Sequence, residues 1–183
     1  MTKKILIGFY IYFSIIASFA QHTVFNEPEK FCDGYVLIDA KTNINSLEYF
    51  MLIDQKTLQT HDTKGQYVIK LPVNDFQTDK KIFLKKFHEL LKIDEFPYIF
   101  IEFSSDIAFE SKEKITLPFS IRIAGTSNTY NIPVSILNCS KGKLLLGSCV
   151  IKLSDFNLST EKTGYSFIKV KDQISINFSV IIS

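Results

Sequence analysis

The feature that most constrains this chain is an alternation of apolar and polar residues with a period of two, which gives way to a helical period only once. It is clearest in Asp172–Ile182, where Ile174, Ile176, Phe178, Val180 and Ile182 alternate with Ser175, Asn177 and Ser179. Successive side chains of a strand point to opposite faces, so such a segment buries one face and wets the other. The same reading predicts strands over Tyr35–Ala40, Leu47–Gln55, Gln66–Val73, Tyr98–Ser104, Ile115–Ala124, Thr129–Asn138 and Lys143–Leu153. Between Asp79 and Ile93 the period changes. Phe83, Phe87, Leu90 and Leu91 recur at helical spacing, with Lys80, Lys81, Lys85, Lys86 and Glu89 mainly between them, which predicts one amphipathic helix. Pro97 then biases Phe96 away from helical backbone.

Eight strands joined mostly by turns predict an antiparallel meander, because a parallel pair needs a crossover helix at each step. The economical arrangement is an all-β domain with one principal helix, in which an eight-stranded antiparallel sheet closes into a barrel. Closure removes exposed edges, and a barrel of this size encloses either a packed core or one small ligand. A two-sheet β-sandwich satisfies the same alternation and is the alternative. Turns are expected at Gly125-Thr126-Ser127-Asn128, at Ser140-Lys141-Gly142 and in the polar stretch Thr60–Gly65, which contains His61. Ser154–Leu158 reads as a loop or a single helical turn.

Residues 1–20 carry the marks of a signal peptide: Lys3 and Lys4, an apolar run from Ile5 to Ala17, and small residues at Ser18 and Ala20. Cleavage there makes Gln21 the first mature residue. The apolar run is shorter than the roughly 20 residues that span a bilayer, so no integral membrane span is expected in the mature chain. Residues 21–183 suit one domain. They hold 19 basic and 19 acidic side chains, and a near-neutral surface argues against nucleic acid as a partner. The export signal permits a disulfide among Cys32, Cys139 and Cys149. Three cysteines allow at most one bridge with a thiol left over, and all three can equally serve as small buried apolar side chains. Cys139 and Cys149 flank the turn at residues 140–142 asymmetrically, which disfavours a direct cross-strand bridge between them.

No catalytic or metal-binding motif stands out, and no cofactor is expected. His22, His61 and His88 lack a second histidine at ligand spacing, and Lys92 stands where H-E-x-x-H would place it. Gly147-Ser148-Cys149 runs on into a strand, without the turn to a helix that a nucleophile elbow needs.

Several strings, in order, resemble the YceI-like family. Phe87-His88-Glu89-Leu90-Leu91-Lys92-Ile93-Asp94-Glu95-Phe96-Pro97-Tyr98-Ile99 is similar to its helix and the aromatic-proline step into the next strand. Thr42–Leu47 resembles the approach to its second strand, Ile121–Thr126 its strand ending in a glycine turn, and Leu153–Leu158 with Ile168–Asp172 its closing segment. The resemblance spans roughly residues 34–182. It implies a lipocalin-like barrel in the periplasm, a binder rather than an enzyme, holding an isoprenoid or other long-chain amphiphile. Alternation then nominates the lining of an elongated apolar tunnel: Leu47, Tyr49 and Met51; Ile101 and Phe103; Ile121 and Ile123; Ile176 and Phe178. Phe83 and Phe87 are expected to cap one opening. The competing expectation is a dry, filled barrel that recognises a partner through its loops. The sequence assigns no oligomeric state.

Overall fold

The computed structural model describes residues 32–54, 57–61, 66–79, 81–104, 114–159 and 169–182. The expected signal peptide lies outside them. The described strands are β1 (Gly34–Thr42), β2 (Ser46–Ile53), β3 (Leu58–His61), β4 (Gln66–Pro72), β5 (Tyr98–Ser104), β6 (Lys114–Ile123), β7 (Thr126–Cys139), β8 (Gly142–Lys152) and β9 (Val170–Ile182), and helix α1 covers Lys81–Leu91 between β4 and β5. All ladders are antiparallel, in the spatial order β2-β1-β9-β8-β7-β6-β5-β4-β3.

Every strand pairs with its neighbour in sequence except β2 with β3, and β1 pairs with β9. The meander therefore curls into a barrel with one seam, between β2 and β3. The segment leading to α1 partly covers the β2 side of that seam: Phe50 and Gln77 exchange two backbone hydrogen bonds, of 2.9 and 2.8 Å. These bonds satisfy peptide groups that an edge strand otherwise leaves open.

The eight expected strands and the helix are all present. β3 is an addition to them. It places Thr60 and His61 opposite Tyr67 and Gln66, within a stretch expected to be a turn. The β6–β7 turn also differs. Rather than using residues 125–128, the chain reverses at Ala124-Gly125, with Ile123 opposite Thr126. Both turn residues have positive φ, 46° and 81°, as a type I′ hairpin requires to match strand twist. Gly125 has a second constraint, since a Cβ there would lie 2.8 Å from the Phe96 ring. The polar run Thr126-Ser127-Asn128 continues as strand because it is anchored at its side. The Asn128 amide donates to the Asp155 carbonyl at 2.6 Å, and the Asn157 amide donates to Thr126 Oγ1 at 3.4 Å. Leu153–Phe156 forms a single 3-10 turn, ended by Asn157 at φ 57°.

The inward faces meet in one core. At one end Tyr67, Phe103, Phe119 and Phe178 pack in a row, with ring centroids 5.2, 4.9 and 5.5 Å apart, the first pair stacked and the last edge-on. Gly147 lies opposite Phe178, and a side chain there would collide with that ring. Phe119, Ile132, Val134, Ile136, Leu145 and Val180 are each 2 % exposed or less. This end of the barrel is a filled plug. Full burial of such side chains stabilises by about 1.5–3 kcal/mol each relative to exposure.

Candidate functional site

The other half of the interior is open. An apolar cavity of about 240 Å³ lies between the sheet and α1. β1 contributes Val36, Ile38 and Ala40, β2 contributes Leu47 and Tyr49, and β5 and β6 contribute Ile99, Ile101, Ile121 and Ile123. Ile151, Ile174 and Ile176 from β8 and β9 continue the wall. The ladders hold these residues level with one another: Ile38 is opposite both Tyr49 and Ile176, and Ile101 is opposite Ile121.

Helix α1 supplies the remaining wall through Ile82, Phe83, Lys86, Phe87, Leu90 and Leu91. Phe87 stacks on Tyr49 with ring centroids 4.3 Å apart and meets Phe76 edge-on at 5.4 Å. The Tyr49 hydroxyl donates to the Phe83 carbonyl at 3.4 Å, fixing the helix against β2. Ile82, half exposed, and Lys86 mark the rim. Lys86 is the only charged side chain among the described lining residues. Its Nζ lies 2.7 Å from Glu89 Oε2, and that bond holds the Glu89 carboxyl below its ordinary range.

Of the residues nominated by alternation, Leu47, Tyr49, Ile101, Ile121, Ile123 and Ile176 come together around this cavity, and Phe83 and Phe87, expected to cap one opening, join its helical wall. Phe103 and Phe178 instead belong to the plug, where Phe178 borders only a residual void of about 10 Å³. Met51 is buried in the core but does not reach the cavity. Alternation alone missed the β1 contribution, although Val36, Ile38 and Ala40 obey the same period. It also missed Phe76, which sits in the connector before α1. Lys86 looked like part of the wet helix face.

The model of the YceI-like domain matches residues 35–182. The chain belongs to the YceI-like family. No curated protein matches it in sequence. Among solved structures, this YceI-like chain is similar to Burkholderia cenocepacia BcnA, with a TM-score of 0.61, 18% identity, and coverage of 82% of this chain and 96% of that one. It is also similar to a polyisoprenoid binding domain from Saccharophagus degradans implicated in plant cell wall breakdown, with a TM-score of 0.64, 9% identity, and coverage of 80% and 91%. The Campylobacter jejuni YCEI protein matches with a TM-score of 0.52, 16% identity, and coverage of 67% and 76%. At these identities the likeness is one of fold. Among the described residues, no helix is long and apolar enough to cross a membrane.

The cavity wall has one ionisation with a clear sign. Burial pushes the Tyr49 hydroxyl of this YceI-like chain from its ordinary 10.0 up to about 12. The folded protein thus favours the neutral phenol. Its contribution to stability is complete below pH 10 and is lost as pH rises toward 12. Tyr130, raised by burial and by donating to Asp155 Oδ2 at 2.8 Å, acts in the same direction. Urea melts across this range are expected to show falling stability, with a shallower decline for Tyr49→Phe. An identical alkaline slope in that variant would mean that Tyr49 ionises freely.

Proposed function

We propose that this protein is a non-catalytic carrier of a single apolar chain, exported from the cytoplasm by residues 1–20, with the hydrocarbon held beneath α1 and its polar head at the rim beside Lys86. The observation that carries this reading is the cavity itself: an apolar pocket with Lys86, paired to Glu89, on its lining. Each methylene removed from water contributes about 0.8 kcal/mol, so a short acyl or prenyl segment gains useful affinity without a buried charge pair. Leu47, Tyr49, Phe83, Phe87, Ile101, Ile121, Ile123 and Ile176 are the contact residues of this proposal. The polyisoprenoid-binding relative is consistent with a ligand of this class.

The test is solvent extraction of the protein purified from its native compartment, with mass spectrometry of the extract, followed by titration with acyl and prenyl probes. A stoichiometric long-chain amphiphile is the expected result. Lys86→Ala is expected to weaken an acid-headed probe by about fivefold, in keeping with a partly exposed charge pair, and to leave the matching alcohol unaffected. An empty extract together with no measurable probe binding would transfer support to the interaction-protein reading.

A further inference from the structure

The three thiols are unbridged in the structure but are not equivalent. Cys149, on β8, borders the residual void of the plug, and burial pushes its thiol up to about 11. That is the setting of an inert apolar side chain. Cys32 and Cys139 instead lie close enough for each thiol to shift the ionisation of the other, although they are about a hundred residues apart in sequence. Two separate contacts hold the segments that carry them in place. Lys141 Nζ, two residues beyond Cys139, lies 2.8 Å from Oδ1 of Asp33, the neighbour of Cys32. The Ser179 hydroxyl donates to the Asp33 carbonyl at 3.1 Å, where β1 begins alongside β9.

We propose that Cys32 and Cys139 are the disulfide pair of this protein, a bridge that staples the segment entering β1 to the β7–β8 turn. The turn itself favours the reaction. Ser140 and Lys141, in the β7–β8 turn, present polar groups to the Cys32 thiol. Together with the Cys139 contact, which contributes most, they hold the Cys32 thiol below its ordinary range. Burial, aided by the same contact, pushes Cys139 up. Of the two thiols Cys32 is the more readily ionised, and the first step is assigned to its thiolate. It displaces one sulfur of an oxidised disulfide, either glutathione or a thiol–disulfide oxidoreductase, to form a mixed disulfide and release one thiolate. Cys139 gives up its proton, attacks the Cys32 sulfur and expels the second thiolate. The two electrons pass to the oxidant, which leaves as two thiols carrying the two protons. A loop of about a hundred residues is closed, the case in which a crosslink restricts the unfolded chain most.

The experiment equilibrates the purified full chain with oxidised and reduced glutathione, blocks remaining thiols with N-ethylmaleimide and maps the peptides by mass. A peptide linking Cys32 to Cys139 is expected, with Cys149 recovered alkylated and outside the bridge. Reduction is expected to lower Tm by on the order of 5–10 °C. Cys149→Ser should keep the bridge, and Cys139→Ser should trap glutathione on Cys32. Alkylation of both Cys32 and Cys139 after exchange, or a bridge that includes Cys149, overturns the proposal. That reading is made on the unaltered chain and does not depend on the variants folding.

Discussion

Ala40→Phe is expected to weaken binding of an acyl or prenyl probe by about 100-fold while the protein stays folded. Ala40 is 5 % exposed and lines the cavity from β1, opposite Leu47 on one side and Ile174 on the other. A phenyl ring at this position enters space that the ligand would otherwise fill. Displacing about four methylenes removes roughly 3 kcal/mol of transfer free energy, which corresponds to about two orders of magnitude in Kd. In a close-packed core the same enlargement costs about 1–3 kcal/mol. Beside an existing cavity it relieves a packing deficit, so Tm should hold or rise. A fluorescence titration paired with a thermal melt checks both halves. Undiminished affinity in a folded Ala40→Phe protein would show that the ligand lies elsewhere. A steep fall in Tm would show that the cavity is smaller than its walls suggest.

Much of this molecule was legible in the alternation. Each of the eight expected strands has a period-two run, β3 alone among the described strands lacking one, and α1 stands out because Phe83, Phe87, Leu90 and Leu91 break that period. Period two, however, reports only which face of a strand is buried. It is silent on depth along the barrel. On β9 the same face carries Ile176 into the cavity and Phe178 into the plug, two residues apart. On β5 the division falls between Ile101 and Phe103, and on β6 between Ile121 and Phe119. Telling them apart requires the ladder registers, which place Phe103 beside Tyr67 and Phe178 beside Gly147. A glycine opposite an aromatic was the available signal for close packing at that level, since the missing side chain makes room for the ring. The cysteine contact was hidden for a related reason. It joins the entry to β1 with the β7–β8 turn, and only the pairing of β1 with β9, and of β9 with β8, brings those two segments to one end of the barrel. The turn at Ala124-Gly125 was displaced in the sequence reading because Thr126-Ser127-Asn128 is polar for the sake of partners from residues 153–157, a tertiary cause with no local trace.

The plug has a consequence of its own. Phe119→Ala is expected to destabilise the fold by about 3–5 kcal/mol, the usual cost of removing a fully buried aromatic side chain. Phe119 has no exposed surface and sits between Phe103 and Phe178, with centroids 4.9 and 5.5 Å away. Neither neighbour can move over to fill the gap without losing its own packing, and Phe178 is already pressed against Gly147. A urea titration should show a lower midpoint with an unchanged slope, which would assign the loss to packing rather than to a change in the unfolded state. A loss below about 1 kcal/mol would mean that the surrounding side chains collapse into the space. The same substitution should also alter what the folded protein binds. Phe119 borders the residual void together with Ile101 and Ile121, and those two residues also line the main cavity. Removing its ring joins the two spaces and deepens the pocket toward the plug. Each further methylene accommodated there contributes about 0.8 kcal/mol, so the preferred chain length among a series of acyl probes should increase. If Phe119→Ala loses stability yet keeps the parent's length preference, the end of the ligand site is set by something other than the aromatic plug.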